Sequence, residues 1–257
     1  MGSAIAHLMT RNGMVAGSCF VFDRNPERRM VCAVLSCTVA QSLDELIANS
    51  DILLLAVKPQ NASELFDEMR GRIASRTIIS IMAGIQMSTI ARGLETSRII
   101  RAMPNMPARI GKSMTVWTAH KEVSGEEKEA ARQLFSLMGR ELEVVSEDKI
   151  DAATAISGSG PAYVFLLAES LEAAALHLGF SAEESGLLVR ETLRGASELY
   201  AGTNESPAVL RGAVTSQGGT TAAAMEILDP AAFMHLWQRA VKSAYGRAKE
   251  LRNATSL

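Results

Sequence analysis

Thr215-Ser216-Gln217-Gly218-Gly219-Thr220-Thr221 is a run of hydroxyls and glycines between two segments that read as helix. Glycine lets backbone approach an anion closely, N–H groups at a following helix start favour negative charge, and Ser and Thr hydroxyls both donate and accept. The run has the chemistry of a cradle for a small carboxylate or phosphate. Thr220 or Thr221 acting only as an N-cap for a helix from Ala222 would use the same residues. A second segment, Ala155-Ile156-Ser157-Gly158-Ser159-Gly160, again sets small residues before a long apolar helix, with Pro161 at a first helical position. Two such segments in one helical half point to a shared site.

The elements that must position these residues fall into two halves. Residues 1–148 alternate short apolar runs with amphipathic stretches. Runs at 19–22, 51–57, 77–81, 99–103, 114–118 and 142–145 read as strands, with helical patterns at 42–49, 61–73, 88–94 and 125–138. That alternation predicts an α/β fold, a Rossmann-like doubly wound parallel sheet. In residues 149–257 the strands stop and helices are expected at 161–178, 182–201, 206–213, 222–228 and 231–252. The stretch from Val164 to Leu178 is too apolar for a monomer's surface, so this half is expected to be an all-helical dimerisation domain.

In a doubly wound sheet, ligands bind outside the carboxyl ends of the strands. Ala56-Val57-Lys58-Pro59, Ala83-Gly84 and Met103-Pro104-Asn105 all fall at such ends and outline one cleft. The strand at 19–22 runs into Asp23-Arg24, about twenty residues after Gly2. An acid there grips a ribose diol, whereas an Arg receives a 2′-phosphate. Arg24, with Arg28 or Arg29 behind it, favours NADPH, and Asp23 keeps NADH open. Met1-Gly2-Ser3-Ala4-Ile5-Ala6 reads as the end of a G-x-G-x-x-G fingerprint followed by its helix, so the first strand and two leading glycines are expected to be missing. Cofactor affinity should suffer accordingly.

Composition excludes other classes. With 257 residues, 47% of them hydrophobic, a formal charge of −2 and no basic run, nothing favours nucleic acid or an anionic membrane. No segment has the roughly 18 apolar residues of a membrane span, and the N-terminus does not read as a signal peptide. Cys19, Cys32 and Cys37 lack zinc spacing, and His7, His120, His177 and His235 form no ligand motif. Buried thiols, no metal and a cytoplasmic location are therefore expected.

Assembled, the motifs resemble the pyrroline-5-carboxylate reductase family over nearly the whole chain. The resemblance rests on Met1-Gly2-Ser3-Ala4-Ile5, Ala56-Val57-Lys58-Pro59, Ala83-Gly84, Arg101-Ala102-Met103-Pro104-Asn105-Met106-Pro107, Ser157-Gly158-Ser159-Gly160-Pro161-Ala162-Tyr163 and Val214-Thr215-Ser216-Gln217-Gly218-Gly219-Thr220-Thr221. The resemblance implies reduction of pyrroline-5-carboxylate to proline by hydride from NAD(P)H, the last step of proline biosynthesis, in a homodimer or a ring of dimers. It implies cofactor contacts at Gly2, Arg24, Ala56, Val57, Lys58, Ala83 and Asn105, with Pro107 also shaping the nicotinamide end. It implies substrate contacts at Glu147, Ser216, Gly218, Gly219, Thr220 and Thr221, with Thr221 reaching the ring nitrogen. Three departures are visible: Met106 where Thr is usual, Gln217 where Pro is usual, and the absent leading strand.

The implied chemistry needs little acid–base help, since a protonated cyclic imine accepts hydride directly and catalysis is proximity and orientation. Two alternatives stay open. One is a related two-domain reductase of another imine or a hydroxy acid, although the stretch 161–178 lacks the Lys such hydroxy-acid enzymes usually carry. The other is an inactive, truncated paralogue that keeps the dimer fold.

Overall fold

A computed structural model describes residues 1–11, 18–35 and 37–254. The chain forms two compact units, Met1–Ser159 with Ser243–Leu257, and Gly160–Lys242. The first unit runs α1 (Gly2–Arg11), β1 (Phe20–Val21), α2 (Pro26–Val34), β2 (Thr38–Val39), α3 (Leu43–Ala48), β3 (Ile52–Leu55), α4 (Ala62–Met69), β4 (Thr77–Ser80) and α5 (Met87–Leu94). It continues through β5 (Ile99–Met103), β6 (Ser113–Ala119), α6 (Gly125–Met138), β7 (Gly139–Glu143) and α7 (Glu147–Ala153). Strands β1 and β2 form one parallel ladder, and β3-β4-β5-β6-β7 form a second in that order.

Strands β3, β4 and β5 are parallel neighbours and, apart from Thr77, Ser80 and Arg101, apolar on both faces, because helices cover both. Side chains alternate across a strand, so adjacent residues feed opposite cores. Ile78 and Ile99 join Leu53, Leu55, Phe66 of α4 and Ile90 of α5, whereas Ile79 and Ile100 join Ile5 and Leu8 of α1 and Phe135 of α6. Two cores, one on each side of the sheet, are what a doubly wound arrangement requires.

Strand β6 runs antiparallel to β5. Only a 3-10 turn, Met106–Ile110, lies between the two strands, too short for the crossover that a parallel neighbour needs. The parallel sheet read from the sequence therefore acquires one reversed strand. β7 starts at Gly139, before the run expected at 142–145. Gly139 sits at φ +144, and a Cβ there would lie 2.3 Å from the Ser113 carbonyl oxygen, so glycine lets pairing begin directly at the end of α6. Helix α4 stops short of residue 73 because Arg70 leaves the helical region and Gly71 takes φ +72.

Among the described residues no helix is long and apolar enough to cross a membrane, and no cluster of His, Cys, Asp and Glu could hold a metal ion. Cys19, Cys32 and Cys37 are buried free thiols, and Cys19 Sγ lies 3.6 Å from Cys37 Sγ. Burial, reinforced by Cys19, pushes the Cys37 thiol from its ordinary 9.0 up to about 12. The folded state thus holds this proton more tightly than the unfolded chain does. The stability this confers is complete below pH 9.0 and is lost as the pH climbs toward about 12. The melting temperature is expected to fall more steeply across that window in the wild type than in Cys37→Ala. Parallel profiles would contradict this assignment.

The second unit is helical: α8 (Gly160–His177), α9 (Ala182–Ala201), α10 (Pro207–Ala213), α11 (Thr220–Leu228) and the first part of α12 (Pro230–Ala254), whose residues from Ser243 belong to the first unit. Helix α9 opens with a capping box in which Ser181 and Glu184 satisfy each other's backbone N–H, and those hydrogen bonds hold the Glu184 carboxyl below its usual range. Tyr163 and Phe233 both pack edge-on against Trp237. No residue of α8, α10 or α11 is buried within the chain. Val164, Phe165, Leu166 and Leu167 of α8 are all exposed, with Leu166 at 61%.

Candidate active site

The register of the parallel strands aligns the three sequence-predicted cofactor segments. Leu55 pairs with Ser80 and Ser80 with Arg101, so Ala56-Val57-Lys58, Ala83-Gly84 and Asn105 leave the sheet along one carboxyl edge. Gly2 joins them: a Cβ on it would stand 3.1 Å from Ala56 Cβ, so the start of α1 is seated directly on the end of β3. Gly84 adopts φ +76, and its missing Cβ would meet Leu251 of α12 at 3.3 Å. A helix start without a side chain, beside the end of a parallel strand, fits a pyrophosphate.

Arg24 lies elsewhere in its chemistry. Its guanidinium is held by Glu64 at 2.6 Å and Glu68 at 2.5 Å, both on α4, and its charge is balanced there. Asp23 accepts from the Asn25 backbone at 2.8 Å and lies 3.7 Å from Arg28. Lys58 is exposed and precedes the 3-10 turn Pro59–Asn61.

Asn105 is a clamp. Its side-chain oxygen accepts from Met114 N at 3.0 Å and from Ser113 Oγ at 3.1 Å, and its amide donates to Ser157 O at 2.9 Å. Glu147 begins α7, and its Oε1 accepts from Arg101 Nη1 at 3.0 Å and from Met87 N at 2.9 Å. That carboxylate therefore caps α5, the helix that follows Ala83-Gly84, a favourable place for negative charge.

The small-residue segment before α8 is not a loop. Thr154–Gly158 forms a π-helical turn directly after α7, in which Ser159 N donates to Thr154 O at 2.8 Å. Ser157 Oγ donates to Ala153 O at 3.1 Å, and a Cβ on Gly158 would meet Met103 Cε at 3.3 Å. Small residues are needed here because the turn is pressed onto the end of β5. π-Turns of this kind recur at functional positions.

In the second unit, Thr215-Ser216-Gln217-Gly218-Gly219 leads into α11 as expected. Gly218 has φ +70, and Gly219 is the N-cap with no side-chain cap bond. The N–H groups of the first turn of α11 therefore have no hydroxyl from the cap residue to satisfy them, and Ser216, Thr220 and Thr221 flank that turn in sequence. Thr220 is exposed and Thr221 half-buried.

A cavity of about 420 Å³ lined by Asp51, Arg76, Thr77, Arg98, Glu126 and Glu127 opens where β3 and β4 begin, the opposite edge from the cofactor segments. Thr77, Arg98 and the Ser124 cap engage Glu127; against the burial that would raise it, these bonds hold its carboxyl below the usual range. Its charges are committed to one another.

Sequence reasoning missed the ion network that joins these parts. Arg101, in mid-strand and only 2% exposed, contacts both Glu147 and Asp151, and Asp151 also receives Arg252 from the end of α12. The available signal was a lone arginine inside the apolar run Ile99-Ile100-Arg101-Ala102-Met103.

A doubly wound sheet with glycine-bearing segments at one carboxyl edge, joined to a helical unit with a hydroxyl-rich helix start, defines a two-part dinucleotide-dependent oxidoreductase. Residues 147–251 match the family model for pyrroline-5-carboxylate reductase dimerisation, and residues 1–84 that for NADP oxidoreductase, coenzyme F420-dependent. The chain is 40% identical to a pyrroline-5-carboxylate reductase of Synechocystis over 79% of its length and 75% of the relative's. It is 31% identical to the Arabidopsis thaliana reductase over 98% of its length and 92% of the relative's. The structure of a pyrroline-5-carboxylate reductase from Coxiella burnetii superposes with a TM-score of 0.91 at 31% identity, covering 97% of this chain and 94% of that one. A Plasmodium falciparum pyrroline carboxylate reductase with NADP bound gives 0.87 at 29%, covering 98% and 94%. The chain belongs to the pyrroline-5-carboxylate reductase family.

Proposed function

We propose that this protein reduces 1-pyrroline-5-carboxylate to L-proline with NADPH as the donor, and that the cradle at the start of α11 holds the substrate carboxylate. The observation that carries the reading is the glycine-capped helix start of α11, with Ser216, Thr220 and Thr221 beside it in sequence, in a chain of this family. Residues 1–148 are the dinucleotide-binding part and residues 149–257 the dimerisation and substrate part. The active form is a homodimer, alone or within a ring of dimers. The net charge of −2 offers nothing to nucleic acid, and the three buried free thiols suit the cytoplasm.

NADPH supplies a hydride. Everything else falls to the chain. Backbone N–H groups of the first turn of α11, with the Ser216 and Thr220 hydroxyls, bind the carboxylate, and Gly218 and Gly219 keep that approach open. The iminium N–H donates to Thr221 Oγ, which fixes the ring face and remains a partner for the amine formed. Gly2, Ala56, Val57, Lys58 and Ala83 line the cofactor, with Asn105 holding its nicotinamide end in shape. Glu147 is assigned to the substrate, its carboxylate held in place by Met87 N and Arg101. No residue has to move a proton over a distance, in accord with the absence of a His or carboxylate dyad in these motifs.

The test is NADPH oxidation by the purified protein with pyrroline-5-carboxylate and detection of proline. Turnover lost in Thr221→Val with the fold intact would support the hydroxyl's role, and full activity would remove it. Arg24 reports the coenzyme. Exposed ion pairs such as those with Glu64 and Glu68 are weak, so a 2′-phosphate can displace them. Arg24→Ala is expected to raise KM for NADPH by about tenfold and leave KM for NADH unchanged. Equal effects on both coenzymes would take Arg24 out of the phosphate site.

A further inference from the structure

Arg101 is costly where it stands. It sits in β5 between β4 and β6, is 2% exposed, and is paired with an Asp151 that is also 2% exposed. Removing two such charges from water consumes several kcal/mol per ion before attraction returns it, and an apolar replacement is often no less stable. Stability alone therefore does not account for the pair.

What the charges do is close a ring of contacts. Arg101 Nη1 binds Glu147 Oε1, the oxygen that caps α5 through Met87 N. Three residues before Met87 lies Gly84, where the Leu251 backbone comes so close that an added Cβ would meet it at 3.3 Å. Beside Leu251, Arg252 Nη1 reaches Asp151 Oδ2 at 2.9 Å and Asp148 Oδ1 at 2.5 Å. Asp151 Oδ1 returns to Arg101 Nη2 at 2.9 Å. The segment 83–87 is thus held by Glu147 on one side and by the end of α12 on the other, and Asp151 is the acceptor common to both arginines. Asp151 is also one turn from the π-helical turn whose Ser157 carbonyl accepts from Asn105.

We propose that Asp151, with Arg101 and Arg252, is a positioning residue for hydride transfer, holding the cofactor segment 83–87 in register with residues 147–158. This rests on the reductase reading above. The chemistry depends on two carbons meeting at about 3–3.5 Å, and a displacement of about 1 Å at a distance costs about 100-fold. Asp151 touches neither reactant in this scheme.

Two variants test it. Asp151→Asn keeps the size and one acceptor but removes the charge both arginines share, and Arg252→Gln opens only the α12 side. For each, kcat, KM for NADPH, the isotope effect with NADPH deuterated at the transferred position, and amide exchange across residues 85–88 are measured. In Asp151→Asn kcat is expected to fall about 100-fold with KM for NADPH within about threefold of wild type. The isotope effect should rise toward that of the chemical step, and exchange at 85–88 should quicken. Arg252→Gln should change in the same sense by about fivefold in kcat, and it carries the test if Asp151→Asn does not fold. A lower melting temperature with wild-type kcat and isotope effect overturns the proposal. If the wild type forms no proline, the reductase reading fails by itself. The exchange measurement then decides the network: unchanged protection at 85–88 in both variants overturns the linkage, and faster exchange upholds it.

Discussion

Replacing Leu166 with glutamate is expected to turn the protein into a monomer and abolish proline formation. Leu166 is 61% exposed on α8, a helix with no buried residue, and Phe165 beside it is 53% exposed. The exposed apolar set continues on other helices of the same unit, with Ile227 at 88%, Leu236 at 58% and Met234 at 55%. Single exposed leucines need no explanation, but helices that bury nothing within their own chain do. Residues 147–251 match a dimerisation family, in keeping with the homodimer proposed above, so a second copy of the chain is the occupant expected here. A carboxylate buried in such an interface without a partner is expected to weaken association by about a thousandfold, about 4 kcal/mol. Sedimentation of Leu166→Glu should show one chain where the wild type shows at least two. Val34→Glu, at an 85% exposed position of the first unit, is the control and should remain assembled. A Leu166→Glu protein that stays dimeric and active would place the interface on another face.

The sheet was legible because its strands are short and apolar on both sides. Ile78-Ile79 and Ile99-Ile100 serve two cores at once, which leaves continuous hydrophobic runs in the sequence. β2 is two residues long and shows no period, so Thr38-Val39 could not be read as a strand. α2 passed unread although its start signal is complete, with Asn25 accepting from Glu27 N and Arg28 N and Pro26 in the first turn. Its apolar residues Met30, Val31 and Val34 are exposed, so the buried stripe that marks most helices is missing. The reversal of β6 was implicit in the short connection from Met103 to Ser113, which leaves room only for a turn.

The candidate site was legible where residue type alone carries the chemistry. Gly2 on Ala56, and the glycines before α11, follow from how close backbone must come to an anion. The role of Glu147 was not readable in the same way. Its partners Met87 and Arg101 are 60 and 46 residues away, and their meeting depends on the whole sheet being in place. The same holds for Arg252, which finds Asp148 from 104 residues away. Local pattern shows that a charge is present in a buried strand, but only the fold shows which charges answer it.

Gly219→Ala is expected to raise KM for pyrroline-5-carboxylate by about 100-fold, about 2.7 kcal/mol, while the affinity for NADPH stays as it was. Gly219 has φ −82, so alanine suffers no backbone strain there. The obstacle is space, because the new Cβ would lie 2.5 Å from Ser216 Oγ and 3.2 Å from Ser216 O. Ser216 must rotate or retreat, and its hydroxyl is one of the donors assigned to the carboxylate. The added methyl also covers the helix start, where an anion gains most from the unsatisfied N–H groups. Gly212→Ala in α10 supplies the comparison, since its Cβ meets nothing within 4 Å and a helical alanine is favoured over glycine. That variant should keep KM within about twofold and melt no lower than wild type. The proposal requires the two glycines to part company in KM and not merely in stability. If Gly219→Ala melts lower yet binds substrate as the wild type does, the carboxylate is held elsewhere, and the hydroxyls of Thr220 and Thr221 lose their assigned ligand with it.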